Sequence, residues 1–138
     1  MKKFELTSET KINIFGKKLF RIKALISFGD VEAGETGGWV EKEGNVSQSG
    51  DAWVYGDAMV YGDARVYGDA DYTTIHGFGT QFRTTTFFRC KDKKVRVACG
   101  CFFGTIPEFR EQVKNTRKGK IAEEYLMIAD LMEKHFEK

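Results

Sequence analysis

A chain of 138 residues, 41% of them hydrophobic and with a formal net charge of +2, has the size of one ordinary domain and holds no run approaching the roughly 20 apolar residues of a membrane span. The charge is uneven: residues 1–80 carry nine Lys and Arg against twelve Asp and Glu, and residues 81–138 carry thirteen against eight, which permits an anionic partner on the C-terminal half but is also commonplace for a domain. Three cysteines, all from position 90 onward, and an N-terminus that turns polar after Phe4 argue against a disulfide framework and a secretory leader, and favour a reducing, cytoplasmic setting.

The first predicted element is a β-hairpin. In "KINIFGKKLFRIKAL" two apolar-alternating runs flank Gly16 and Lys17, with Ile12 and Ile14 expected to face Phe20 and Ile22. Residues 1–28 are assigned to this hairpin cap.

Residues 29–76 hold a repeat. Gly50-Asp51-Ala52, Gly56-Asp57-Ala58, Gly62-Asp63-Ala64 and Gly68-Asp69-Ala70 recur every six residues, after a degenerate copy at Gly44-Asn45-Val46. Looser corners occur at Gly29-Asp30-Val31 and Gly38-Trp39-Val40. A period of six fits no helix face; it fits a short strand followed by a corner. Glycine supplies the positive φ of that corner, and Asp or Asn bonds the local backbone. Val54, Val60 and Val66 are expected to point inward, so their neighbours point outward by strand alternation. Three flats would close a coil of eighteen residues, placing Asp51 over Asp69 and Asn45 over Asp63. Stacked carboxylates repel unless solvated or bridged by a cation, and solvation is the expectation here.

"VYGDAM" and "VYGDAR" resemble the hexapeptide-repeat family of left-handed parallel β-helices, with Tyr55, Tyr61 and Tyr67 at a position that is usually small or acidic. The left-handed hand is implied by the resemblance alone, since parallel crossovers are normally right-handed. Three inward valines cannot hold a free-standing coil, so both ends need capping. Trp53 and Tyr55, Met59 and Tyr61, and Arg65 and Tyr67 are expected to project from three successive flats as a partner-binding surface. Self-association, with a trimer favoured by the family resemblance, is the competing use of those faces.

The C-terminal unit, residues 77–138, reads as β-β-α-α. "FRTTTFFRC-KDKK-VRVACGCFF" is a predicted hairpin with Val95, Val97, Cys99, Cys101 and Phe103 on one face and Lys94, Arg96 and Ala98 on the other. Thr105 and Glu108 form a capping-box pattern before Ile106, Phe109 and Val113; Ile121, Tyr125, Ile128 and Met132 mark a second helix. The fold class is therefore α+β: a short left-handed parallel β-helix between an N-terminal hairpin cap and a β-β-α-α unit.

No metal or cofactor set is predicted. Cys90 and Cys99 sit about 13 Å apart along the hairpin, too far to share one ion, and Cys99 and Cys101 fall among valines like core thiols. Lys91, Lys93, Lys94 and Arg96 at the hairpin tip, and Arg117, Lys118 and Lys120 between the helices, are candidate anion contacts. His76 and His135 are the only histidines, and no nucleophile, base and oxyanion arrangement stands out, so no catalytic residue is assigned.

The stretch "RIKALISFGDVEAGETGGWVEKEGNVSQSGDAWVYGDA" is similar to the opening of small bacteriophage and prophage hexapeptide-repeat proteins. The segment "VRVACGCFFGTIPEFREQVKN", with the later "AEEYLMIADLMEKHF", is similar to a tail found in phage proteins of unknown role. The resemblance implies expression in a bacterial host cytoplasm and carries no catalytic residues to transfer. Together with the expected exposed aromatics and the absent catalytic set, it leads to the expectation of a non-enzymatic accessory protein that binds a host protein, in particular an antiviral defence complex, through the aromatic flats or the basic C-terminal half. The alternatives are a self-assembling structural or scaffold protein, a nucleic-acid or nucleotide binder using the basic half, and a hexapeptide-repeat acyltransferase.

Overall fold

The computed structural model describes residues 2–13, 16–56, 58–62, 64–67, 71–79, 83–99 and 102–137. β1 (Phe4–Ile12), β2 (Lys18–Ala24), β3 (Thr36–Val40) and β4 (Met59–Val60) lie side by side in that order. The first three are mutually antiparallel, and β4 joins β3 in parallel. β5 (Tyr72–Phe78), β6 (Arg83–Arg89), β7 (Val95–Cys99) and β8 (Phe102–Thr105) make a second, antiparallel sheet, followed by α1 (Ile106–Thr116) and α2 (Gly119–His135).

The expected left-handed parallel β-helix is overturned: the described residues form one mixed and one antiparallel four-stranded sheet with two helices. Among the described residues, parallel pairing is limited to Trp39 and Val40 beside Met59 and Val60, plus a bridge between Val46 and Val66. These partners are twenty residues apart, where three six-residue flats require eighteen. The sequence contains the reason. Buried valines keep a step of six from Val40 to Val46, and again from Val54 through Val60 to Val66, but Val46 and Val54 are eight apart. The two extra residues fall around Gln48. Its side-chain oxygen accepts the Lys3 and Phe4 backbone N–H groups at 2.7 and 3.1 Å, and its amide donates to the Phe4 carbonyl at 3.1 Å. The repeat is thus interrupted where the N-terminal strand attaches, and other elements, not further coils, cover its apolar side.

Corners at Gly50, Gly56 and Gly62 do take positive φ, between 55° and 64°. The position of Gly68-Asp69-Ala70 lies outside the described residues, as do Asp57 and Asp63; the expected stacks of Asp51 on Asp69 and Asn45 on Asp63 are therefore not visible. Asn45 itself is fully buried and ties two segments together. Its Oδ1 accepts from the Glu41 and Lys42 backbone N–H groups at 3.1 and 3.0 Å, and its Nδ2 donates to the Gly62 and Ala64 carbonyls, each at 3.1 Å.

In the N-terminal hairpin the register differs from the expected one. Ile12 pairs with Lys18 and is 72% exposed, while Leu6 pairs with Ile22 and Thr10 with Phe20 across an irregularity. Ile14 lies outside the described residues. Lys3 is anchored under the first corner, 2% exposed, its ammonium 2.6 Å from the Ala52 carbonyl and 4.5 Å from the Phe28 ring centre. Burial pulls its pKa below the usual lysine value, with Asp51 opposing.

Three described strands, β6, β7 and β8, precede the helices of the C-terminal unit where two were expected, and β5, which begins at Tyr72 within the stretch assigned to the repeat, joins them in one sheet. Cys99 pairs with Phe102 and Ala98 with Phe103, so "VRVACGCFF" turns back on itself as β7 and β8 instead of running on as one strand. Phe103 accordingly lies away from Val95, Val97 and Cys99; Cys101 is outside the described residues. The second sheet is the middle layer of the fold. Phe87 and Val97 pack with Ile106, Phe109, Val113 and Tyr125 of the helices, whereas Phe88, Cys90 and Ala98 pack with the repeat. Alternation along β6 and β7 thus supplies two cores from one sheet. Thr105 caps α1: its Oγ1 accepts the Glu108 N–H at 3.2 Å, and the Glu108 carboxylate accepts the Thr105 N–H at 2.9 Å, which holds that carboxyl below its usual pKa.

Candidate functional site

The predicted outward flats divide sharply. Trp53 is fully buried, its ring edge-on to Phe4 and Phe28 at 6.1 and 5.3 Å. A Cβ added at Gly37 would lie 2.6 Å from the Trp53 ring, so only glycine lets β3 pass this close. Tyr61 is 4% exposed and packs on Phe103 at 4.9 Å and Phe88 at 6.0 Å, which bonds the repeat to the second sheet. The outward projection expected for these two rings is therefore reversed: the repeat buries Trp53 against Phe4 and Phe28, and Tyr61 against Phe88 and Phe103. Met59 is half-buried, its N–H donating to Thr86 Oγ1 at 3.2 Å. Arg65 is half-buried as well and donates to the Gly44 and Ala64 carbonyls.

Tyr55 and Tyr67 remain on the surface, 48% and 67% exposed. Both segments are fixed by the start of β5. The Tyr55 N–H donates to the Tyr72 hydroxyl at 3.2 Å, and the Tyr67 N–H donates to Asp71 Oδ2 at 2.9 Å. Asp71 is in turn clamped through Oδ1 by Arg89 Nε at 3.0 Å, in an ion pair whose side chains are 14% and 18% exposed. Arg89 also donates to the Phe136 carbonyl and lies over the Phe136 ring at 5.5 Å. A chain of contacts therefore runs from the end of α2 through Arg89 and Asp71 to the backbone of Tyr67. Beside it an open groove of about 220 Å³ is lined by Tyr55, Tyr72, Thr73 and Thr74.

Asp71, Tyr72 and Arg89 were not among the predicted contacts. Tyr72 carries the available signal, since it takes the place where the repeat calls for an inward valine.

The basic residues form two separate groups. Lys91, Lys93 and Lys94 are exposed at the β6–β7 tip, and Lys93 adopts φ 69°. Asp92 sits among them, accepting the Lys94 N–H at 2.9 Å and pairing with Arg96 at 2.8 Å, which keeps its carboxyl below the ordinary range. Arg117, Lys118 and Lys120 are exposed between α1 and α2. α1 begins beside Arg96, across from Thr105, and runs eleven residues, about 16 Å, before reaching Arg117. One continuous cationic surface is not made from the two groups.

His76 is exposed on β5, its Nδ1 2.8 Å from Thr84 Oγ1, and the His135 ring meets Phe136 edge-on at 5.1 Å. Cys90 is buried, and Cys99 Sγ receives a hydrogen bond from Thr85 Oγ1 at 3.1 Å. Among the described residues no group of three or more His, Cys, Asp or Glu side chains is placed to hold a metal ion, and no helix is long and apolar enough to cross a membrane. A scan against protein-family models finds none that matches the chain, and a search of curated proteins finds no match either.

Proposed function

We propose that the chain is a non-enzymatic binding protein of the phage accessory kind, acting in the cytoplasm of a bacterial host on a protein of an antiviral defence complex. Its contact surface is the pair Tyr55 and Tyr67 with the adjoining groove. The observation that carries this reading is the exposure of two tyrosines whose backbone N–H groups are held by the Tyr72 hydroxyl and by Asp71, itself paired with Arg89. Tyrosine supplies wide amphipathic contact area at low entropic cost, and pre-organised aromatic anchors are the usual energetic centres of protein interfaces. The phage-like text of both halves of the sequence supports the choice of a host protein as occupant.

The test is a photo-crosslinking residue at position 55 or 67, with Glu9 and Glu123 as control positions, expressed in the host. One host protein is expected to couple at both test positions and at neither control. Its complex with the purified chain is expected to weaken by about tenfold or more on Tyr67→Ala, and further with Tyr55→Ala added. Equal coupling at test and control positions, or affinity unchanged by both substitutions, overturns the proposal.

A further inference from the structure

α2 carries apolar side chains on two opposite faces. Tyr125, Ile128, Ala129 and Met132 are buried in the helix-side core with Phe87 and Phe109. On the solvent side Met127 and Leu131 stand 69% and 60% exposed, one turn apart, in a face that is otherwise charged. Scattered apolar side chains on a surface are ordinary, so the pair gains meaning only from what flanks it.

Glu124 and Lys134 continue the stripe at either end. Glu124, Met127, Leu131 and Lys134 are spaced by three, four and three residues, the step of a coiled-coil seam, and that spacing reads the same from both ends. The charges do not: the acid stands at the N-terminal end and the base at the C-terminal end. Laid antiparallel on its own copy, the seam therefore sets Met127 on the partner subunit's Leu131 and Glu124 on the partner subunit's Lys134. Laid parallel, it would set like charges together. A foreign helix would have to supply the order base, apolar, apolar, acid; this chain already carries it.

The neighbouring acids are engaged within the chain. Asp130 and Glu133 accept from Arg110 of α1 at 2.9 and 3.0 Å, which braces α2 against α1. Lys134 meets only Glu137, at 3.7 Å with both side chains mostly exposed, a contact of little strength, and Glu124 has no ion pair with a described residue.

We infer that the outer face of α2 is the interface for a second copy of this chain, packed antiparallel about a two-fold axis at the level of Ala129. The contact is isologous, so each complementary pair is made twice. Only four apolar side chains meet at its centre, two from each copy, so the association is weak and concentration-dependent. It gives a two-fold pair in place of the trimer that the family resemblance implies. None of its residues belongs to the Tyr55 and Tyr67 surface, and the dimer does not depend on what that surface binds.

Sedimentation equilibrium tests it. The wild-type chain is expected to move from 15.7 kDa towards twice that mass between about 1 and 100 μM. Glu124→Lys and Lys134→Glu each turn two attractions into two repulsions, and each is expected to weaken pairing by about tenfold or more with unchanged circular dichroism. The chain carrying both substitutions, and an equimolar mixture of the two single variants, are expected to pair as the wild type does, because opposite charges meet again in both. A wild-type mass of one chain at about 100 μM, a mass of three chains, a single variant that pairs as tightly as the wild type, or a double variant and mixture that stay weak overturns the inference. Should a charge variant fail to fold, the chain carrying Met127→Gln and Leu131→Gln decides: loss of pairing supports the dimer, and pairing at wild-type strength overturns it.

Discussion

Asn45→Ala is expected to lower the unfolding free energy by about 3–5 kcal/mol in chemical denaturation, with an unchanged denaturant slope. Four backbone groups bond this one amide: the N–H groups of Glu41 and Lys42 and the carbonyls of Gly62 and Ala64. The Glu41 N–H also reaches the Val60 carbonyl at 3.2 Å and the Ala64 carbonyl also accepts from Arg65, so alanine strands chiefly the Lys42 N–H and the Gly62 carbonyl. Each buried polar group left so costs about 1–3 kcal/mol, and water entering the vacated volume recovers part of the total. The side chain has no exposure through which it could be replaced from solvent. Asn45→Asp isolates the donor half. It keeps an acceptor for Glu41 and Lys42 but turns a carboxylate oxygen toward two carbonyls, so it too is expected to destabilise strongly, and more at neutral pH than in acid. A loss below about 1 kcal/mol for Asn45→Ala would show that the bracket does not carry the connection between the η turn at Glu43–Asn45 and the third corner of the repeat.

Tyr61→Ala is expected to cost about 3–5 kcal/mol, in the range of large aromatic truncations in a core. The ring packs on Phe88 and Phe103, which also touch each other, so its removal loosens the repeat from the second sheet without touching the helix-side core around Phe109. The same residue gives a pH signature. Burial, with help from the nearby Glu41 carboxylate, pushes the Tyr61 phenol up to about 12. An unfolded tyrosine ionises near pH 10, so the stabilising contribution of the neutral ring is complete below about pH 10 and is lost as pH rises towards about 12. Stability followed against pH is expected to fall through that window in the wild type. Tyr61→Phe is expected to keep the fold and remove that part of the fall. An equal alkaline loss in the Phe variant would contradict the burial of this phenol.

Local chemistry was the legible part of this fold. The capping box at Thr105 and Glu108, the helical spacing of Tyr125, Ile128 and Met132, the inward valines and the positive φ of Gly50, Gly56 and Gly62 each follow from a few adjacent residues. What failed was long-range register. The glycines keep a step of six through Ser47–Ser49, but the buried valines slip by two there, and a period counted on glycines hides that slip. With the step stretched to twenty residues, the described residues of the repeat keep only short parallel contacts, at Trp39–Val40 with Met59–Val60 and at Val46 with Val66, and Trp53 and Tyr61 turn inward onto Phe4, Phe28, Phe88 and Phe103. At the candidate site, Tyr55 and Tyr67 were readable as exposed rings of the repeat. Asp71 and Arg89, which fix Tyr67, are eighteen residues apart and meet only through the pairing of β5 with β6.

Residue-resolved hydroxyl-radical labelling of the aromatic side chains puts the division of the repeat to the most direct test. Rapid modification of Tyr55 and Tyr67 together with protection of Trp53 and Tyr61 is the predicted pattern. Labelling of Tyr61 or Trp53 at the rate of Tyr67 would mean that the repeat shows its rings to solvent on every side, and the account of both the fold and the binding surface would be wrong.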